Sequence, residues 1–279
     1  MRALLLSEIL PAAPADGERL LEVDGIHLAF AGLKAIDGVS FTVHRGELFA
    51  VIGPNGAGKT SIFNCISGVY HPQEGSIRFE GRDLIGMRPD RIADLGIART
   101  FQNIELFPQL TVVDNLMLGR HQHLRYGTPS AMLRIGRAAR EEARNREVVE
   151  GIVEFLGIEQ HRKSYVAMLP YGIQKRVELG RALAMAPRLL LLDEPAAGMN
   201  LEETEDMARY ISDVKRELGI GIILVDHDMR LVMDLADTVL AIDFGRPIAV
   251  GPPAEIQGNR EVIAAYLGQE HGTAEGGAA

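Results

Sequence analysis

Eight consecutive residues, Gly53-Pro54-Asn55-Gly56-Ala57-Gly58-Lys59-Thr60, match the pattern G-x-x-x-x-G-K-[ST]. Glycines in such a loop let backbone N–H groups turn inward around phosphate oxygens. The lysine then reaches the terminal phosphates, and the threonine hydroxyl is placed to ligate Mg²⁺. LFAVI before the loop reads as a strand. SIFNCISG behind it, opening at Ser61, reads as a helix whose positive N-terminal end faces the same anion. With a strand on one side and a helix on the other, the octapeptide reads as a phosphate cradle rather than a chance glycine-rich turn. Cys65 falls in that helix and reads as a buried, inert thiol.

Two more groups of reactive side chains follow apolar runs. Leu189-Leu190-Leu191-Leu192 ends in Asp193-Glu194, and Ile222–Val225 ends in Asp226-His227. A buried strand holds its tip rigidly, so Asp193 can sit opposite Thr60 and hold the Mg²⁺ through water. Glu194 is then placed to polarise a water attacking the γ-phosphate. His227, at a third strand tip, is suited to contact that phosphate and orient the water. An acid pair or a histidine at a strand end is common and weak by itself. Three such tips in one chain point to one ligand site, because open parallel sheets bind ligands beyond the carboxyl ends of their strands.

The elements that must position these groups follow from hydropathy. Leu20–Phe30 alternates apolar and polar residues, with a break at Gly25. Val39–Val43, Glu47–Ile52 and Ser76–Glu80 read as further strands, the first two separated by the turn His44-Arg45-Gly46. From Thr111 to Leu169 the pattern turns helical, and Tyr171–Met185 and Glu202–Leu218 read as helices. Continuous apolar runs such as Leu189–Leu192 predict parallel strands covered by helices on both sides. Residues 1–19, with the linker Pro11–Gly17, are expected to be an N-terminal extension, 20–268 the folded domain, and 269–279 a disordered tail rich in Gly, Ala and Glu.

Composition narrows the function classes. The 279 residues carry 29 Lys+Arg and 38 Asp+Glu, a net charge of −9, which argues against a general nucleic-acid binder. One cysteine excludes an intramolecular disulfide and a cysteine-based metal cluster. The apolar runs fall short of the roughly 20 residues that a membrane-spanning helix needs. Any membrane association is therefore expected to come through a partner.

Taken together, the motifs resemble those of the ATP-binding-cassette (ABC) ATPases, over about Leu20 to Gly268. Beyond the cradle and the acid pair, Gln102 in Thr100-Phe101-Gln102-Asn103 resembles the family's Q-loop. Leu169-Pro170-Tyr171-Gly172-Ile173-Gln174 resembles its signature, and Ala197-Gly198-Met199-Asn200 its D-loop. The resemblance implies an α/β fold of the P-loop NTPase type: a RecA-like parallel-sheet core, an antiparallel β subdomain and a helical subdomain at about 103–175. It implies ATP and Mg²⁺ as cofactors. Gln102 would touch the Mg²⁺ or the water, and His227 would act as the switch histidine. Tyr171, Gly172 and Asn200 would contribute to nucleotide contacts across a pair of ATPase subunits. Phe30 resembles the aromatic that stacks on adenine, with packing in the strand core as the competing reading.

Within the family the chain is similar to ATPase subunits of branched-chain amino-acid importers. The resemblance rests on Gly32-Leu33-Lys34-Ala35, Asp37-Gly38-Val39-Ser40, Ala98-Arg99-Thr100-Phe101-Gln102-Asn103, Glu194–Asn200, Val225–Met229 and Val262-Ile263-Ala264-Ala265-Tyr266-Leu267-Gly268. It implies membrane permease subunits, a second cassette subunit (identical or related) and, indirectly, an extracytoplasmic solute-binding protein as partners. It places the chain peripherally at the cytoplasmic face of the inner membrane. Importers of urea or short amides share much of this pattern, and a soluble cassette ATPase without a permease is the alternative class. The signature departs from the usual L-S-G-G-Q: Pro170 stands for the Ser, Tyr171 for the first Gly and Ile173 for the Gln. Pro170 lacks the hydroxyl and the N–H, which predicts a weaker contact with the partner's γ-phosphate. The insert at about 119–150 carries Arg120, Arg125, Arg134, Arg137, Arg140, Arg144 and Arg146, readable as a basic face toward lipid or permease. Interleaved Glu141, Glu142 and Glu147 favour an ordinary solvated helix. His121 and His123 lack further ligands at helical spacing and read as exposed residues.

Overall fold

A computed structural model describes residues 17–100, 104–121 and 137–270. The chain opens with a long hairpin, β1 (Arg19–Phe30) and β2 (Leu33–His44), and then enters β3 (Leu48–Ile52). The cradle leads into α1 (Lys59–Ile66), followed by β4 (Glu74–Phe79), β5 (Arg82–Asp83), α2 (Pro89–Asp94) and β6 (Ile97–Arg99). Helices α3 (Val112–Gly119), α4 (Arg137–Phe155) and α5 (Tyr171–Ala184) come next. After them stand β7 (Leu189–Asp193), α6 (Leu201–Leu218), β8 (Gly221–Val225) and α7 (Met229–Leu235). The chain ends in β9 (Thr238–Asp243), β10 (Arg246–Gly251), α8 (Pro253–Gln257) and α9 (Arg260–Glu270).

The strands form two sheets. One is antiparallel, in the order β2-β1-β4-β5; the other runs β10-β9-β3-β8-β7-β6 and is parallel except for β10. All five residues of β3, β7 and β8 are buried, as continuous apolar runs require. Their side chains alternate between two cores. Leu48, Ala50, Ile52, Leu190 and Leu192 face one core, with residues of α3, α4, α5 and α6. Phe49, Val51, Leu189 and Leu191 face the other, with the antiparallel sheet and α1. Phe41 of β2 stacks on Phe49 of β3, ring centroids 4.9 Å apart, and so ties the two sheets together. These layers agree with the expected α/β architecture.

The domain edges differ in detail from the sequence reading. The first strand starts at Arg19, within the expected extension, and residues 1–16 lie outside the described residues. The last helix runs through Glu270, so Gln269 and Glu270 continue it; 271–279 lie outside the described residues. Helix α5 crosses the expected edge of the helical part at 175 without a break. Val39–Val43 is only part of the second half of β2, whose first half carries Lys34 and Asp37 and is largely exposed or half-exposed around a buried Ile36.

One polar cluster holds the hairpin against the parallel sheet. Asp37 accepts from Lys34 Nζ at 3.0 Å and from Arg246 Nε of β10 at 2.7 Å, with His27 Nδ1 at 3.1 Å. Lys34 and then Arg246 hold its carboxyl at about 2, below the ordinary 3.8. The folded value is the lower one, so the stabilisation is present above 3.8 and is lost as pH falls toward 2. Asp37→Asn is therefore expected to be less stable than the parent at neutral pH. The difference should close as the pH falls from 3.8 to 2, as read by denaturant melts at several pH values.

Candidate functional site

Strand register brings the predicted tips to one edge of the parallel sheet. Val51 pairs with Val225 and Ile52 with Ala241, while Asp193 pairs with Val225 on the other side of β8. The residues that follow β3 and β8, together with the end of β7, are the cradle, Asp226-His227 and Asp193-Glu194.

The cradle is shaped by its backbone. Gly53 and Gly58 have φ of 156° and 106°. A Cβ at Gly53 would lie 2.2 Å from the Ile242 carbonyl oxygen, and one at Gly58 2.4 Å from that of Ala35. Only glycine fits either position. Gly58 is also the N-cap of α1 and makes no side-chain cap, so the first N–H groups of that helix point into the loop. Lys59 is buried and donates to the carbonyls of Gly53 at 2.5 Å and Pro54 at 2.9 Å. Burial pushes its pKa down, and the nearby charges of Glu194 and Asp193 oppose that. Asn55, Gly56 and Thr60 are exposed along the loop, and Ser61 is half-exposed in the first turn of α1. Burial pushes the Cys65 thiol up to about 12, as expected of an inert thiol.

Asp193 is buried and accepts from Arg99 Nη2 at 3.0 Å. Burial pushes its pKa up, and the Arg99 guanidinium opposes this. Arg99, at the end of β6, also donates to Asn64 Oδ1 at 2.7 Å and covers the Phe63 ring, so α1, β6 and β7 share one polar joint. The signal for Arg99 in the sequence is a lone cation in an apolar run beside a strand-end acid; it needs a buried partner. Glu194 sits at φ 48°, a left-handed conformation that costs a non-glycine residue about 1–3 kcal/mol. The four buried leucines of β7 outweigh that cost, and the Glu194 N–H still donates to Val225 O at 2.8 Å. The resulting turn aims the carboxylate at the sheet edge, where Glu194 Oε2 lies 3.9 Å from His227 Nδ1. The His227 side chain is 65% exposed, at the mouth of the site. Asp226 beneath it is buried, accepts from the Asp228 N–H at 2.9 Å and has its pKa pushed up by burial.

The remaining predicted residues lie around this centre. Phe30 is half-exposed at the β1–β2 turn, edge-on to Tyr70 at 5.0 Å, so it offers a face to solvent rather than filling a core. Pro170 is the N-cap of α5 and makes no side-chain cap. The Tyr171 hydroxyl donates to Ala197 O at 3.0 Å, and a Cβ on Gly172 would lie 2.4 Å from Glu203 Oε1. The signature position therefore packs on the segment after Glu194. Asn200 caps α6, and Glu203 returns the bond to its N–H. Gln102, His123, Arg125 and Arg134 lie outside the described residues. The basic-face reading loses Arg120, which is buried and donates to Asn145 Oδ1 at 2.9 Å and to Ala184 O at 3.0 Å. Arg140, Arg144 and Arg146 are exposed beside Glu147, as in a solvated helix.

The family model described as ABC transporter matches residues 36–197, and one described as Branched-chain amino acid ATP-binding cassette transporter matches residues 246–272. The chain is 39% identical over 250 residues to the high-affinity branched-chain amino acid transport ATP-binding protein BraF of Pseudomonas aeruginosa, covering 90% of this chain and 98% of BraF. It is 39% identical over 252 residues to LivG of Escherichia coli, a protein of the same description, with the same coverage. Among solved structures, the ADP conformation of MJ1267, an ATP-binding cassette of an ABC transporter, superposes with a TM-score of 0.78. It shares 29% identity, covering 90% of this chain and 99% of that one. With the cradle and the acid pair at one sheet edge, these matches show that the chain belongs to the ABC transporter family, as one of its ATP-binding, ATP-hydrolysing subunits.

Proposed function

We propose that this chain drives the import of branched-chain amino acids, as the motor subunit bound peripherally to permease subunits at the cytoplasmic face of the membrane. What carries this reading is similarity to BraF and LivG over 98% of their length, together with the branched-chain model at residues 246–272. A methionine import ATP-binding protein, MetN of Rhizobium etli, is 33% identical, with 64% of its length covered. The cassette is thus shared among importers, and the solute preference rests on the longer and closer matches. No helix among the described residues is long and apolar enough to cross a membrane, so the membrane is reached through the permease.

The chemistry follows from the site. ATP lays its triphosphate in residues 53–60, where backbone N–H groups and the start of α1 hold it. Lys59 exchanges the carbonyls of Gly53 and Pro54 for phosphate oxygens. The Thr60 hydroxyl and the Asp193 carboxylate are hard oxygen donors that suit Mg²⁺, with Gln102 as a third. The bound ion would neutralise phosphate charge. Glu194 takes the proton of the attacking water, and His227 orients that water from the mouth. Phe30 presents its face to adenine. A second cassette subunit, identical or related, brings Tyr171, Gly172 and the N-terminus of α5 to this nucleotide, near Asn200.

A groove of about 380 Å³ suits the permease. Ser67, Val69, Pro89, Ile92, Leu118 and Met185 line it, between the parallel-sheet core and α3 and α5. Val69 is 54% and Leu118 41% exposed, and Arg99, Glu178 and Arg181 also border the groove, which fits an amphipathic helix of the permease as occupant. The solute-binding protein acts through the permease and does not touch this chain. Affinity capture from detergent-solubilised native membranes, followed by mass spectrometry, tests the reading. Recovery of polytopic permease chains with a cassette partner is expected. Recovery of soluble proteins alone would favour a cassette ATPase that works without a permease.

A further inference from the structure

The last helix touches the nucleotide site from behind. Helices α8 and α9 lie beside α7 and the end of β3 and border an open groove of about 340 Å³ lined by Ile52, Met229, Met233, Ile256, Val262 and Tyr266. Val262 and Ile256 are anchored in the core, with Tyr266 packed against it. Tyr266 belongs to the terminal motif Val262–Gly268, which has no part in the chemistry above. Its hydroxyl is buried and has no protein partner of hydrogen-bonding geometry among the described residues. The backbone N–H of Gly53, the first cradle residue, lies beside it. That N–H draws the phenol pKa down while burial, the larger effect, pushes it up.

A buried hydroxyl left without a bond is destabilising, and such a group calls for a reason. Here the reason is its neighbour. A Cβ on Gly53 would collide with the Ile242 carbonyl and crowd Ala57, so the start of the cradle is closely packed on the side away from its N–H. A small shift of Gly53 completes an N–H···O bond to Tyr266. Met229 and Met233, whose side chains are adaptable, line the groove between α7 and α9.

We propose that Tyr266 is a positioning residue for the phosphate cradle: its hydroxyl accepts the Gly53 N–H when the loop holds nucleotide, so the C-terminal helix and nucleotide affinity are coupled. By reciprocity, bound nucleotide must also hold the helix more tightly. This rests on ATP binding at residues 53–60.

The test compares the full-length chain with Tyr266→Phe, which keeps the ring and its packing. The melting temperature without nucleotide, the Kd for MgATP and amide hydrogen exchange over residues 260–266 are measured for both. In Tyr266→Phe the nucleotide-free melting temperature should be equal or higher, because an unbonded buried hydroxyl is gone. MgATP affinity should fall about fivefold, the loss of one ordinary hydrogen bond. MgATP should slow exchange in the last helix of the parent and do so less in the variant. A lower nucleotide-free melting temperature with unchanged affinity would mean a purely structural hydroxyl and overturn the proposal, as would no change in any readout. A parent chain that binds no MgATP would overturn the nucleotide reading as well, and so separates the two failures.

Discussion

Glu194→Gln is expected to keep MgATP bound and to lose hydrolysis by about 10²–10⁴-fold, the range for removal of a positioned general base. Glutamine keeps the length and shape of glutamate and the backbone N–H bond to Val225 O, so the turn at φ 48° is retained. It cannot take a proton. Asp193, the buried acid paired with Arg99, is untouched, so affinity for the nucleotide should hold. Phosphate release together with equilibrium nucleotide binding separates the two effects. Retained turnover would move the base elsewhere, with His227 at 3.9 Å the first candidate.

The second large effect is expected at Gly58→Ala. The added Cβ would fall 2.4 Å from Ala35 O, and φ is 106°, so strain and collision act together. The atom that the Cβ would strike is backbone, and Ala35 lies in the strand-paired hairpin beside Gly245, so no flexible side chain can move aside. The loop must shift and carry the first N–H groups of α1 away from the phosphates. The combined cost of about 3 kcal/mol or more would weaken ATP binding by about 10²-fold or more. Gly86→Ala is the control. Its φ of 80° brings similar strain, but nothing lies within 4 Å of the added Cβ and the residue is remote in sequence from the cradle. It should lower stability and leave nucleotide affinity near the parent value. Nucleotide titration and thermal melts of both variants check this; equal affinities for the two would remove the close approach at Ala35 as a determinant of the cradle.

The residues legible in the sequence were those whose neighbours left one solution. Leu189–Leu192 and Ile222–Val225 are apolar on both faces, so each had to be an inner strand, and their polar ends had to emerge at one edge. The first half of β2 was not legible, because Lys34, Asp37 and Gly38 interrupt the alternation and the strand is held by the Asp37 cluster, formed with partners from β1 and β10. Strand β6 has three residues, too few to show a period. Strands β9 and β10 carry an edge pairing that only the register reveals. Arg120 read as one of several surface arginines; its burial depends on Asn145 and Ala184, far along the chain. Tyr266 was legible as part of a motif but not as a neighbour of Gly53, since 213 positions (266 − 53) separate them.

The most direct measurement is phosphate release from MgATP by the purified full-length chain, alone and with permease subunits reconstituted in lipid. Hydrolysis that rises when the permease is added, and vanishes with Glu194→Gln, is the expected result. A chain that binds MgATP but hydrolyses it at one rate with and without permease would contradict its role as the motor of an importer.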